Sequence, residues 1–171
     1  MVAACLPSGP RLWGVRRAVV SAFTIVHLSD LHLSQPALRG RSLVHPKRLL
    51  AYLSWRLKRR ARFDQEAFGA VVRDVQDQHP DGIVITGDLT QLGLPSEYDQ
   101  VREWLLSLGP PDRVSLVPGN HDFTRAERPS ETLDRWKPWI ASPVADGDRF
   151  PTVREIREGL ALIGVSSARP S

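Results

Sequence analysis

The chain has one cysteine, Cys5, which excludes an intrachain disulfide and any zinc site built on several cysteines. It has no apolar run near the roughly 20 residues that a membrane-spanning helix needs. The first 22 residues do not read as a secretory signal, because Arg11, Arg16 and Arg17 interrupt them and Pro7, Gly9 and Pro10 break them further. Acidic residues are scarce at the start: residues 1–63 hold 12 of the 23 lysines and arginines but one acid, Asp30. Such a basic stretch attracts phosphates, nucleic acid or an anionic membrane surface, and is equally a solvated face. Histidine is absent after His121.

What remains is ordinary globular composition, 42% hydrophobic and 25% charged over 171 residues, which predicts one domain. Residues 22–171 carry that domain, and residues 1–21 read as a disordered N-terminal extension. The lone cysteine fits a reducing compartment, so a cytoplasmic location is expected.

Three short apolar runs rich in β-branched residues, Ala22 to Leu28, Gly82 to Thr86 and Arg113 to Val117, read as buried strands. Between them lie two helical patterns. Asp64 can cap a segment in which Phe68, Val71, Val72 and Val75 share a face and which ends near His79-Pro80. Ser96 can cap a second, with Tyr98, Val101, Trp104, Leu105 and Leu108 as its apolar stripe. The order β-α-β-α-β predicts an α/β fold with parallel strands, whose carboxyl ends share one edge. A shorter helix is expected around Ser130 to Ile140, packed through Trp136 and Trp139. Val153 to Arg157, the turn Glu158-Gly159 and Leu160 to Val165 read as a hairpin, its second strand apolar enough to be buried on both faces.

Each main strand runs into a polar cluster: Asp30-Leu31-His32, then Gly87-Asp88, then Gly119-Asn120-His121-Asp122. In an open α/β sheet such loops converge on one crevice. Carboxylate, imidazole and amide donors together suit Mn²⁺, Fe or Zn²⁺ better than Ca²⁺. Gly87 and Gly119 suit a crowded centre, since a missing Cβ lets backbone approach closely.

The three clusters, in order, match the first three motifs of the calcineurin-like metallophosphoesterases, and the chain resembles that family from about Phe23 to Val165. The resemblance implies the first part of an α/β/β/α sandwich and a phosphodiesterase or phosphatase activity through a water activated by two metal ions. It implies that Asp30 and His32 bind the first metal, Asp88 bridges both and Asn120 binds the second. His121 would touch the substrate phosphate, together with Asn120, or protonate the leaving oxygen, and Asp122 would orient it. Family members carry further histidines downstream, including a G-H-x-H motif that this chain lacks. The sequence therefore predicts an incomplete second metal site and a C-terminally truncated domain, with a non-catalytic metal- or phosphate-binding protein as the alternative.

Blander readings stand beside these. Asp30 and His32 taken singly are a turn cap and a surface histidine, and Asn120 after Gly119 suits a left-handed turn. His27 reads as a hydrogen-bonded core residue, His79 as a helix C-terminal residue and His45 as exposed. The run Lys47 to Phe63 reads as a basic amphipathic helix packed onto the domain by Leu49, Leu50, Leu53 and Leu57. The alternative is an interfacial helix peripheral to an anionic membrane, with Tyr52 and Trp55 as anchors. Nucleic acid ranks last as a partner, because no aromatic-basic recognition motif is present.

Overall fold

The computed structural model describes residues 22–37, 46–58, 65–123, 129–140 and 150–168. The expected extension 1–21, the cap Asp64, His45 and the basic residues Arg59, Arg60 and Arg62 lie outside them.

Strand β1 (Ile25–Ser29), helices α1 (Pro46–Lys58) and α2 (Gln65–Asp77), strand β2 (Gly82–Thr86), helix α3 (Pro95–Leu108) and strand β3 (Val114–Val117) follow one another. The three strands form one parallel sheet in the order β1-β2-β3, with Ser29 opposite Thr86 and Thr86 opposite Val117. Their carboxyl ends are thus level, and the three polar clusters leave the sheet side by side. This is the mixed α/β architecture that the alternation of patterns predicts.

Alternation within each strand divides the sheet faces. Ile83, Ile85, Val114 and Leu116 are buried against Val75 of α2 and Tyr98, Val101, Leu105 and Leu108 of α3. Burying a side chain of this size contributes about 1.5–3 kcal/mol, so this face is the main source of stability. Val84, Thr86, Ser115 and Val117 face the other way, toward an antiparallel hairpin of β4 (Thr152–Arg157) and β5 (Leu160–Gly164). A gap of about 350 Å³ remains between the two layers. Arg154 fastens the hairpin by donating to the carbonyls of Pro111, Val114 and Trp139.

Several details depart from the sequence expectation. α3 begins with Leu94, not Ser96, at the cap position. Pro95 needs no hydrogen-bond partner for its nitrogen in the first turn, and the Glu97 carboxylate takes the Leu94 amide at 2.9 Å. Where one helix is expected around residues 130–140, two short 3₁₀ segments form, Pro129–Glu131 and Leu133–Trp136. The amides of Arg135, Lys137 and Trp139 each bond the carbonyl three residues back, and Pro138 has no amide with which to extend an α-helix. Trp136 and Trp139 are nonetheless buried as expected.

His27 is hydrogen-bonded, Nε2 to Thr86 Oγ1 at 2.7 Å, yet it is exposed, because β1 is an edge strand whose outer face is open. His79 closes α2 in a left-handed conformation, φ 45°. Only one face of the hairpin meets the sheet, so Ile163 and Val165 are 68% and 70% exposed where burial on both faces is expected. The leucines of α1 also differ: none of Leu49, Leu50, Leu53 and Leu57 is buried, whereas Trp55 is. Residues two apart lie on opposite sides of a helix, so turning Trp55 inward turns Leu53 and Leu57 outward.

Candidate active site

The loops after β1 and β2 continue the parallel ladder beyond the strands. Asp30 N donates to Gly87 O at 3.1 Å and His32 N to Asp88 O at 2.9 Å. The third loop joins through His121 N, which donates to Asp88 Oδ1 at 2.9 Å. Backbone therefore brings Asp30, His32, Asp88 and His121 to one edge.

The close approach requires glycine at two places. A Cβ on Gly87, φ 72°, would sit 2.3 Å from Gly119 N, and one on Gly119 would sit 2.2 Å from Asp88 Oδ1. Among the described residues four non-glycine residues have positive φ, and three of them are Asp30 (54°), His32 (45°) and Asp88 (52°). A side chain in this region costs of order 1–3 kcal/mol, and such residues gather where geometry serves function. Asn120 is not among them, so its place after Gly119 is not explained by a left-handed turn.

Both histidines are fixed in the same way. His32 Nδ1 lies 2.9 Å from Thr90 O, and His121 Nδ1 lies 2.9 Å from Gln91 O. A carbonyl only accepts, so in each neutral ring Nδ1 carries the proton and Nε2 is left as the lone-pair nitrogen. The rings stand nearly perpendicular, 89°, with centroids 5.0 Å apart.

Asp122 does not orient His121. Its buried carboxylate accepts from Leu89 N at 3.0 Å, Thr90 N at 2.8 Å, Gly119 N at 3.0 Å and Thr90 Oγ1 at 3.0 Å. Those amides outcompete the imidazole because they converge on the carboxylate from two loops, and the orienting contact to His121 comes from the Gln91 carbonyl. Burial pushes the Asp122 carboxyl above its usual range, with the amides pulling the other way.

A second buried carboxylate, Glu97, was not singled out by its sequence context. It accepts from Ser34 Oγ at 2.5 Å, Gln91 N at 2.8 Å, Leu92 N at 3.1 Å and Leu94 N at 2.9 Å. It so joins the segment after His32 to the segment after Asp88. Gln91 adds a third tie, Nε2 to His32 O at 3.0 Å, and Tyr98 a fourth, its hydroxyl donating to Asp122 O at 2.6 Å. Desolvation raises the Glu97 carboxyl above its ordinary value, against hydrogen bonds from Ser34 and the backbone. The sequence signal was its place in the first turn of a helix, where an acid turns back onto free amides.

The donor types at this edge fit a metal of the Mn, Fe or Zn class: carboxylates of Asp30 and Asp88, Nε2 of His32 held by its tautomer, and the exposed amide of Asn120. Asp30 also accepts from Ser29 Oγ. Among the described residues no three His, Cys, Asp or Glu side chains are drawn together closely enough to hold an ion between them.

Known proteins match this sequence. The family model described as calcineurin-like phosphoesterase matches residues 23–164. A protein of Synechococcus named "probable cyclic nucleotide phosphodiesterase" is 30% identical over 124 residues, 71% of this chain and 38% of that protein. The human metallophosphoesterase domain-containing protein 1 is 42% identical over 50 residues, 29% of this chain and 15% of its own length. A glycerophosphodiester phosphodiesterase, GpdQ, of Enterobacter lignolyticus is 42% identical over 45 residues, 26% of this chain and 16% of its own. The chain thus spans well under half the length of these curated relatives.

Proposed function

This chain belongs to the calcineurin-like phosphoesterase family, and from that premise we propose that it serves metal-dependent hydrolysis of phosphoesters, phosphodiesters first among them. The observation that carries the reading is the ladder of loops at the sheet edge, with Asp30, His32 and Asp88 all held in left-handed conformations. Two relatives named as phosphodiesterases support the choice of ester.

In this reading Asp30 and His32 would hold a first divalent ion and Asn120 a second, with Asp88 serving both. Such ions, when bound, lower the pKa of a water and neutralise charge on the phosphoryl group. His32 presents Nε2 to its ion because Thr90 O retains the proton on Nδ1. His121, held by Gln91 O, presents Nε2 to the substrate; protonated there, it gives its proton to the leaving oxygen. Asn120, its exposed neighbour in the chain, would donate its amide to a phosphate oxygen. Asp122 and Glu97 keep the loops in register and touch no substrate.

A second reading, binding of metal or phosphate without turnover, is suggested by the basic residues 1–63, which hold 12 of the 23 lysines and arginines and one acid. Elemental analysis of the Mn²⁺-loaded chain, beside hydrolysis of an aryl phosphodiester, separates the two. Metal and turnover that both vanish in Asp88→Asn support the hydrolase. Turnover undiminished in Asp88→Asn removes this site from the reaction, and bound metal without turnover selects the second reading.

A further inference from the structure

Helix α1 turns an apolar stripe away from the protein. Leu49, Leu53 and Leu57 follow one another at intervals of about one turn, with Leu50 beside them, and they are 41%, 43%, 82% and 71% exposed. Trp55 occupies the opposite side and is 5% exposed, with the half-buried Tyr52 ring stacked at 6.0 Å from it. A helix that serves the core points its leucines inward. Here Trp55 is buried and the leucines face solvent.

The charge of the helix narrows the choice of occupant. Its sequence, PKRLLAYLSWRLK, has no acid, Arg56 and Lys58 are exposed in its last turn, and Arg59, Arg60 and Arg62 follow in the sequence. Cations at a helix C-terminus suit the dipole, which accounts for their position but not for the outward leucines. Leucines beside cations are what a helix lying in the plane of an anionic bilayer requires. The apolar stripe enters the acyl boundary while guanidinium and ammonium groups reach the phosphates. A second copy of this helix on the stripe would set cation against cation.

We propose that α1 is a docking helix for anionic phospholipid surfaces, which it engages through Leu49, Leu50, Leu53 and Leu57 while Trp55 stays buried. The assignment is independent of whether the sheet edge hydrolyses esters.

Co-sedimentation of the full 171-residue chain with vesicles tests it, using phosphatidylcholine alone and phosphatidylcholine with phosphatidylglycerol. The chain is expected to pellet with the anionic vesicles at low salt, not with the neutral ones, and to be released as salt screens the charge. The double variant Leu53→Glu, Leu57→Glu, at exposed positions that do not hold the fold, is expected to weaken partitioning at least about tenfold with an unchanged circular dichroism spectrum. Arg56→Glu with Lys58→Glu is expected to act in the same direction. The proposal is overturned by failure to bind anionic vesicles at low salt. It is overturned equally by leucine variants that bind as well as the parent, which would assign binding to diffuse charge. A lipid-free dimer that the leucine variant dissolves would give the stripe to a second copy instead.

Discussion

The carboxyl edge of the sheet and the outer face of α1 treat polarity in opposite ways. At the edge, Ser34, Thr90, Glu97 and Asp122 are buried and bonded to amides, hydroxyls or carboxylates of neighbouring loops. On α1, leucines are exposed and the helix's own charges are all cations. A buried polar group is tolerated only when its partners are in place, so the edge has one arrangement that satisfies all of its members. Exposed leucines impose no such condition inside the chain. The edge is therefore held to one geometry by its buried polar groups, while the α1 face carries no such constraint.

The contrast predicts unequal responses to substitution. Asp122→Ala should cost most, about 3 kcal/mol or more, because the amides of Leu89, Thr90 and Gly119 lose their acceptor in a buried setting. Urea unfolding checks this, and a loss below about 1 kcal/mol would place the network outside the stable part of the fold. Glu97→Ala should cost somewhat less, about 2 kcal/mol, since part of its shell lies nearer the surface at Leu92.

The same residue sharpens the comparison through pH. Burial raises the folded pKa of Glu97 above its ordinary 4.5, so the folded chain binds that proton more tightly than the unfolded one. Its contribution is full below the unfolded value and declines as pH rises through the folded one. The stability margin of the parent over Glu97→Gln should then shrink from acid toward neutral pH. A margin that grows over that interval would mean the donors around the carboxylate outweigh its burial.

The smallest effect is expected at Leu57→Ser, within about 0.5 kcal/mol of the parent, because the side chain is 82% exposed. A larger loss would show that something within the chain covers the stripe.

Sequence periodicity located the sheet closely: Gly82 to Thr86 is the strand as read, and β1 and β3 differ by a few residues at their ends. The reason is that β-branched runs between turn residues have few alternatives. The placement of Asp30, His32, Asp88 and His121 at one edge was legible because parallel strands align their ends. The partners of these residues were not. Thr90 and Gln91 act through backbone carbonyls, which any residue supplies, and Glu97 acts through a contact across 63 positions to Ser34. The direction of α1 was misread because leucine spacing defines a stripe without saying which way it faces, and one tryptophan decided that.

Glu97 has a consequence for what the crevice will accept. Amides of Gln91, Leu92 and Leu94 surround its carboxylate at the start of α3, a concavity of the kind that elsewhere captures a free anion. Here the guest is tethered to the host, so dilution cannot remove it and the loop keeps its shape without any solute. Under the function proposed, an incoming phosphate would find these amides already engaged and would be left to His32, Asn120 and His121.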